Sequence, residues 1–318
     1  MARPAVSPYR ILSIDGGGLK GIIALAILQR LDAAVPAWRE GVNMFAGTST
    51  GALIALGLAR RMTPAELLDV YVSKGPLVFD RSLWHEIKDL NNIVGPKYDS
   101  INRESLCKDV LGENTRLGEL LSANGQAGHV VITAFDLDNQ SQQDPARRRW
   151  KAKIFHNLPT RDGSGDDDEY AYRVAMRTSA APTFFASYDG FVDGGVFANN
   201  PSMCALAQTQ DPRLARGIPF GRVRLLSIGT GFYAFHLGGE ESWGIAQWAP
   251  TLVDLLMDGV NEVADFQVRQ MLPDGNYCRI APPLQTNIAM DDPSMIGVLR
   301  RLGDAVSIAD ARQFVTRW

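Results

Sequence analysis

Three glycine-rich loops, each directly after an apolar segment, constrain the fold of this chain most. The first two follow the apolar segments Arg10–Ile14 and Val42–Phe45, and each leads into an apolar helical pattern. Near-continuous apolar strands that alternate with helices are typical of a parallel sheet covered on both faces. The sequence therefore predicts an α/β fold, with further strands near His129–Leu137, Arg149–Phe155 and Arg222–Ile228.

The second loop reads Gly47-Thr48-Ser49-Thr50-Gly51 and fits the G-x-S-x-G pattern of a serine presented at a strand-to-helix turn. Its two glycines allow a tight turn and close approach of neighbouring backbone. A glycine-rich helix start with a capping serine would show the same sequence pattern. The position between a strand and an apolar helix favours a nucleophile, but a serine hydroxyl reacts poorly until a base takes its proton.

The first loop, Asp15–Gly21, has three interpretations. Gly16, Gly18 and Gly21 fit the G-x-G-x-x-G dinucleotide pattern, although the acidic first residue is unfavourable beside a pyrophosphate. The loop could also be a purely structural connection. In the third interpretation, consecutive glycine N–H groups stabilise an oxyanion and Lys20 adds positive potential. That interpretation explains most, because loops at the carboxyl ends of neighbouring parallel strands converge on one site.

The third loop, Asp193-Gly194-Gly195, follows the apolar pair Phe191-Val192. Such a turn is common, and a structural role alone would account for it. Its glycines would also let the backbone pack tightly and bring the carboxylate near the serine. A carboxylate with an ordinary pKa near 4 is a weak base, and partial burial would raise that pKa.

Together, the segments ILSIDGGGLKGI, GTSTG, TSAAPTFF, VDGGVFANNP and SIGTG resemble the patatin-like phospholipase family from Tyr9 to about Gly231. The resemblance implies a three-layer α/β/α sandwich with a mainly parallel central sheet. We expect one catalytic domain over residues 1–318. Residues 9–231 would carry the motifs, and residues 232–318 would form a mainly helical elaboration.

The resemblance also implies a mechanism. Ser49 corresponds to the nucleophile and Asp193 to the general base of a Ser–Asp dyad. Gly17 and Gly18, together with Gly16, correspond to the oxyanion donors, and Lys20 matches a position that is commonly basic in the family. Gly21, Gly47, Gly51, Gly194 and Gly195 complete the three motifs. The implied activity is hydrolysis of acyl esters of membrane phospholipids through an acyl-enzyme.

Within the family, the chain is similar to bacterial effectors of antiphage signalling that a cyclic oligonucleotide activates. The lead-in strand, GTSTGALIALGLA and the segment FHNLP at 155–159 carry that similarity. A constitutive bacterial lysophospholipase is the alternative.

Two other assignments of function remain open. His236 is the one histidine that follows both Ser49 and Asp193, so a Ser–Asp–His triad is conceivable in a constitutive esterase. A non-catalytic nucleotide-binding regulator would instead use GGGLKG, with Ser49 as a phosphate or capping ligand.

The composition limits the kinds of partner that this protein is expected to bind. A net charge of −3 gives no sign of the strongly basic balance of a DNA- or RNA-binding protein. Consecutive carboxylates at Asp166–Asp168 are typical of a solvated loop, so we expect no metal, and no cofactor is implied. The sequence leaves a homo-oligomer open.

The sequence also bears on location. The 3 separated cysteines and the absence of an apolar leader at the N-terminus predict a cytoplasmic protein. Ile22–Leu28 and Ala52–Ala59 are the longest apolar runs and fall short of the ~20 residues that span a bilayer, so membrane contact would be peripheral. The aromatic segment Phe232–Pro250 fits a lid, a lipid-contacting rim or an ordinary loop.

Overall fold

The computed structural model describes residues 7–80, 96–120, 128–140, 145–158, 160–163, 165–212, 217–234 and 244–318. Its strands within these ranges are β1 (Tyr9–Ile14), β2 (Met44–Thr48), β3 (His129–Asp136), β4 (Lys151–His156), β5 (Phe191–Asp193), β6 (Val223–Ile228), β7 (Phe232–Tyr233), β8 (Tyr277–Ile280) and β9 (Pro283–Leu284). The helices are α1 (Gly21–Ala34), α2 (Thr50–Ala59), α3 (Pro64–Val78), α4 (Ile101–Leu111), α5 (Ala171–Thr178), α6 (Gly195–Ala198), α7 (Ser202–Gln208), α8 (Ile245–Met271), α9 (Ile296–Ala305) and α10 (Ala309–Thr316).

Most of the main sheet is parallel. Among the described residues its strand order is β4-β3-β2-β1-β6-β8, and β5 also pairs with β3. The pairs β3/β2, β2/β1, β1/β6 and β6/β8 are parallel, whereas β4 and β5 each run antiparallel to β3. A separate short ribbon joins β7 to β9. The carboxyl ends of β1, β2 and β3 therefore lie at the same edge.

Helices cover both faces of the sheet. Leu12 and Ile14 of β1 pack into a large core with α1 to α5, α9 and α10, whereas Ile11 packs into a second core with α7 and α8. This alternation along a strand is the period-2 pattern that places neighbouring side chains on opposite faces. The prediction of an α/β/α sandwich with a mainly parallel sheet is confirmed.

The second strand was placed too early from sequence. Val42–Phe45 is the predicted segment, but β2 runs from Met44 to Thr48. Gly47 is paired on both sides, with β1 and with β3, and Thr48 is paired with β3, and these ladder hydrogen bonds outweigh the weak strand preference of glycine. The strand consequently continues up to Ser49.

The C-terminal residues are part of the sheet and its cover. β8 extends the sheet beyond β6, α8 packs on the second face through Val268, and α9 packs on α1 through Leu299. The assignment of residues 1–318 to a single domain stays a prediction.

Candidate active site

Ser49 occupies the turn between β2 and α2 in a strained conformation. Its φ is 54° and its ψ is −122°, in a region that residues other than glycine rarely adopt. Such a residue costs on the order of 1–3 kcal/mol and persists where the surroundings enforce it. The Ser49 N–H donates to Thr178 Oγ1 at 2.9 Å, which holds the turn. The side chain thus stands at the positive N-terminus of α2.

Close backbone packing brings the serine turn against the first glycine loop. The parallel register pairs Ile14 with Gly47, so both loops leave the sheet side by side. A Cβ at Gly51 would lie 2.2 Å from Ile14 O, and a Cβ at Gly21 would lie 2.6 Å from Thr50 Oγ1. Only glycine permits these distances, which explains why both loops need it.

Asp193 reaches Ser49 through the register of β3. Thr48 pairs with Thr133, and the next residue of β3, Ala134, pairs with Asp193. The end of β2 and the end of β5 therefore meet at adjacent positions of one strand. Gly194 makes this possible, because a Cβ there would lie 2.3 Å from Thr133 Oγ1.

The Asp193 carboxylate is buried and hydrogen-bonded. It is 3% exposed, and burial raises its pKa to about 6. Three interactions oppose that rise: a hydrogen bond with the Ser49 side chain, a hydrogen bond at 2.7 Å from the Gly195 N–H to Oδ1, and the charge of Arg103. A carboxylate with this pKa is ionised at neutral pH and is a stronger base than an ordinary aspartate.

Some N–H groups of the first glycine loop are already hydrogen-bonded within the described part of the protein, and others are not. The Gly16 N–H donates to Asn199 O at 3.0 Å, and the Leu19 N–H donates to Met290 O at 2.8 Å. The N–H groups of Gly17 and Gly18 have no acceptor among the described residues. Both glycines have positive φ, 150° and 57°, which an L side chain would disfavour. These two donors are available to a developing oxyanion.

An apolar pocket opens beside Ser49. Its lining is mostly aliphatic and aromatic, and includes Leu19, Leu53, Val78, Leu106, Phe184 and Phe185. Gly18, Ser49 and Arg103 also lie on its wall. A long apolar chain could enter here and place its terminal carbonyl between Ser49 and the glycine loop.

A second, polar pocket lies on the other side of the loop. Gly16, Gly17 and Lys20 line it together with Asn199 and Asn261. The two pockets share the glycine loop as a wall, so a substrate across the loop would have one apolar and one polar half. Gly195 lies beneath this region, where an added Cβ would come 3.1 Å from Asp193 Oδ1.

The described histidines lie away from Ser49. His129 begins β3 and pairs with Met44, the first residue of β2, so roughly 15 Å of strand separates it from Ser49. His156 of β4 pairs with Val131, which lies two residues before the β3 position that pairs with Thr48. His85 and His236 lie outside the described residues, as do residues 235–243 of the segment suggested as a lid.

The acidic loop residues have ordinary partners. Asp166 forms an ion pair with Lys153 at 2.5 Å, and Asp168 pairs with Arg116 at 3.3 Å. Within the described ranges, no group of three or more His, Cys, Asp or Glu side chains could hold a metal ion.

Sequence reasoning missed three contributors to this site. Thr178 anchors the serine turn, Met290 fixes the glycine loop, and Arg103 lies buried in the pocket wall. Thr178 lies in the segment TSAAPTFF, which carries part of the family resemblance, so the sequence offered a signal for this residue. Met290 and Arg103 lie in segments without a motif, and only tertiary packing places them here.

Comparisons with known proteins find a matching family model and several similar proteins. A family model described as "Patatin-like phospholipase" matches residues 12–206. "Patatin-like protein 2" of Oryza sativa subsp. indica is 29% identical over 86% of this chain and 76% of that protein. "Protein teg" of Priestia megaterium is 26% identical over 98% of this chain and 99% of that protein. The crystal structure of VipD from Legionella pneumophila covers 98% of this chain and 67% of that chain, with 14% identity and a TM-score of 0.43.

Proposed function

Because this chain belongs to the patatin-like phospholipase family, a family of lipid acyl hydrolases, we propose that it cleaves acyl esters of membrane phospholipids through a Ser49–Asp193 dyad. One observation carries the proposal. The Ser49 side chain is hydrogen-bonded to a buried carboxylate whose pKa is raised to about 6, at the mouth of an apolar pocket. A strained serine, a base within hydrogen-bond reach and an adjoining apolar pocket together fit acyl transfer.

In the acylation step, Ser49 Oγ attacks the ester carbonyl carbon while Asp193 accepts the hydroxyl proton. The carbonyl oxygen becomes an oxyanion, and the N–H groups of Gly17 and Gly18 donate to it. The N-terminus of α2 adds positive potential at the same point. When the tetrahedral intermediate collapses, Asp193 returns its proton to the alcohol that leaves.

The second half of the reaction uses the same groups. Water attacks the acyl-enzyme carbonyl, and Asp193 accepts a proton from that water. The oxyanion again forms at Gly17 and Gly18. Collapse releases the fatty acid and restores the Ser49 hydroxyl with the proton that Asp193 held.

The two pockets suggest how the substrate lies. The apolar pocket beside Ser49 would take the acyl chain, because burial of each methylene favours binding by about 0.8 kcal/mol. The polar pocket beyond Gly17 would receive the alcohol half of the ester. The scissile carbonyl then falls between Ser49 and the free N–H groups.

Contact with a phospholipid surface has support from α8. Among its described apolar side chains, seven are 37–63% exposed, and the spacing of six puts them on one helix face: Trp248, Leu252, Leu255, Leu256, Val263 and Phe266. We name this set the α8 apolar face. Met257, Asp258 and Asn261 of the same helix line the polar pocket. No helix in the described ranges has the length and apolarity to cross a bilayer. Peripheral membrane contact would be made through the α8 apolar face.

Fatty-acid release from phospholipid vesicles tests the dyad. Ser49→Ala and Asp193→Asn should each lower kcat/KM by at least about a thousandfold, because each removes a group that acts in the reaction itself. Ser73→Ala is the matched control, since Ser73 lies exposed on α3 and its hydroxyl bonds only the carbonyls of its own helix. Retained release in Ser49→Ala would refute the proposal.

His236→Ala separates the dyad from a triad. The dyad predicts substantial turnover in this variant, whereas a triad predicts a loss as large as that of Ser49→Ala.

Activation by a cyclic oligonucleotide stays a prediction from the sequence resemblance. Hydrolysis measured with and without a panel of cyclic dinucleotides tests it. Strong stimulation would establish the effector assignment, and full activity without any addition would argue for a constitutive enzyme.

A further inference from the structure

We propose that Arg103 is a positioning residue whose buried positive charge keeps the Asp193 side chain ionised, and so ready to accept the Ser49 proton. This inference rests on the proposed role of Asp193 as general base. Nothing in the motifs points to Arg103, which lies in α4 far from the three loops along the chain.

The Arg103 guanidinium is held in place by neutral groups. Only 4% of the residue is exposed. Nη1 donates to Met176 O at 3.3 Å and to Ser179 Oγ at 3.2 Å, and Nη2 donates to Ser100 Oγ at 3.3 Å. The guanidinium carbon also stands 4.4 Å from the centroid of the Phe185 ring. These contacts fix the position of the charge without neutralising it.

No carboxylate forms an ion pair with Arg103 within the part of the chain that the structure describes. The comparison with Arg177 is informative, because Arg177 is similarly buried at 7% exposure. Arg177 pairs with Glu169 at 2.9 Å and with Asp189 at 3.2 Å. A buried cation is normally compensated in this way, since removing a charge from water is costly. Arg103 therefore calls for a partner that acts over a longer distance.

Asp193 is that partner. Its N–H donates to Ala180 O at 3.0 Å, and the preceding residue, Ser179, accepts the hydrogen bond from Arg103. The Arg103 guanidinium and the Asp193 backbone are thus hydrogen-bonded to adjacent residues of one short segment, and Arg103 lines the apolar pocket together with Ser49. Asp193 itself has no ion pair among the described residues. At low dielectric, opposite charges act on each other well beyond contact distance.

The other titratable groups around Arg103 do not replace this interaction. Burial raises the pKa of Cys107 to about 12, so the thiol is neutral, and burial also raises the pKa of Tyr188. Glu104 pairs with Lys108 at 3.0 Å. Around Asp193, the groups that act on the carboxylate are the Ser49 hydroxyl, the Gly195 N–H and Arg103. Arg103 is the charged member of that set.

This interaction matters because the pKa of Asp193 lies close to neutral pH. Burial raises its pKa to about 6 even though the Arg103 charge lowers it. Without that charge the pKa rises further, and a larger fraction of Asp193 is protonated at neutral pH. A protonated carboxyl cannot accept the Ser49 proton, so the loss of activity appears first on the acid limb of the pH profile.

The pH dependence of kcat/KM on a soluble short-chain ester tests this inference. Arg103→Gln removes the charge and keeps a hydrogen-bonding amide, so its acid limb should move measurably to higher pH. Arg103→Lys keeps the charge, so its limb should stay near that of the wild type. Arg177→Gln is the matched control, because it also removes a buried arginine but should leave the acid limb in place.

Each result has a distinct meaning. An unchanged acid limb in folded Arg103→Gln, with only a lower melting temperature, would overturn the inference. If Arg103→Gln does not fold, Arg103→Met supplies the same comparison. Retained activity in Asp193→Asn would instead refute the base assignment, so failure of the proposed function and failure of the Arg103 role are distinguishable.

Discussion

At the scale of single residues, the site maintains two unfavourable features. Ser49 has a strained backbone, and Asp193 is buried with a raised pKa. Strain and buried charge tend to concentrate at functional sites, where they lower stability in exchange for reactivity. Both features arise from backbone contacts that flanking glycines permit.

Asp193→Asn should therefore stabilise the protein in a pH-dependent way. The folded pKa of about 6 exceeds the ordinary value of 3.8, so the folded state binds the proton more tightly than the unfolded state. The resulting stability is full below pH 3.8 and is lost as pH rises through about 6. Above that, the buried carboxylate costs up to about 3 kcal/mol, which asparagine avoids.

Chemical denaturation of wild type and Asp193→Asn at pH 4 and pH 8 measures this difference. The gain in unfolding free energy should be larger at pH 8. An equal gain at both values would contradict the buried, ionised state of Asp193.

At the scale of elements, α8 has two contrasting faces. Ala264 and Val268 are buried toward the sheet, while the α8 apolar face is exposed. An exposed apolar stripe of this length is typical of a surface that meets a membrane or a partner. Because the same helix lines the polar pocket, its orientation bears directly on access to Ser49.

Charge placed on the α8 apolar face should separate catalysis from lipid access. Leu255→Asp combined with Phe266→Asp should lower activity on phospholipid vesicles by about tenfold or more, because each buried apolar side chain contributes roughly 1.5–3 kcal/mol. Activity on a soluble short-chain ester should stay unchanged. Leu137→Asp is the control, since Leu137 is also exposed but lies outside α8. Equal losses on both substrates would contradict a role in membrane contact.

At the scale of the whole molecule, the C-terminal residues complete the site that the N-terminal motifs begin. Arg279 of β8 pairs at 2.6 Å with buried Asp15, the first residue of the glycine loop. Met290 O accepts from the Leu19 N–H within that loop. The proposed single domain therefore implies that residues 232–318 fold together with the motif core.

Arg279→Met should lower the free energy of unfolding by about 3–5 kcal/mol, because it leaves the Asp15 carboxylate buried without a partner. Calorimetry should still show one transition, shifted to lower temperature. Arg300→Met is the control, because the Arg300–Asp304 pair is exposed and should contribute less than about 1 kcal/mol. Two separate transitions in the wild type would contradict the single-domain assignment.

The sequence by itself determined the α/β class and the order of the three loops. Local patterns suffice for that, because apolar strands, glycine turns and a serine between strand and helix are read within a few residues. It also singled out Ser49 and Asp193, although 144 positions separate them along the chain. The end of β2 at Thr48 was the exception, since pairing with β1 as far as Gly47 and with β3 as far as Thr48 extended the strand.

Only the tertiary structure decided how these residues are arranged. Register along β3 places Asp193 beside Ser49, and packing of Asn199 against Gly16 leaves Gly17 and Gly18 as the free donors. Burial sets the pKa of Asp193, and Arg103 acts on it from another helix. Burial, register and electrostatic coupling depend on residues distant in sequence, so no local pattern could reveal them.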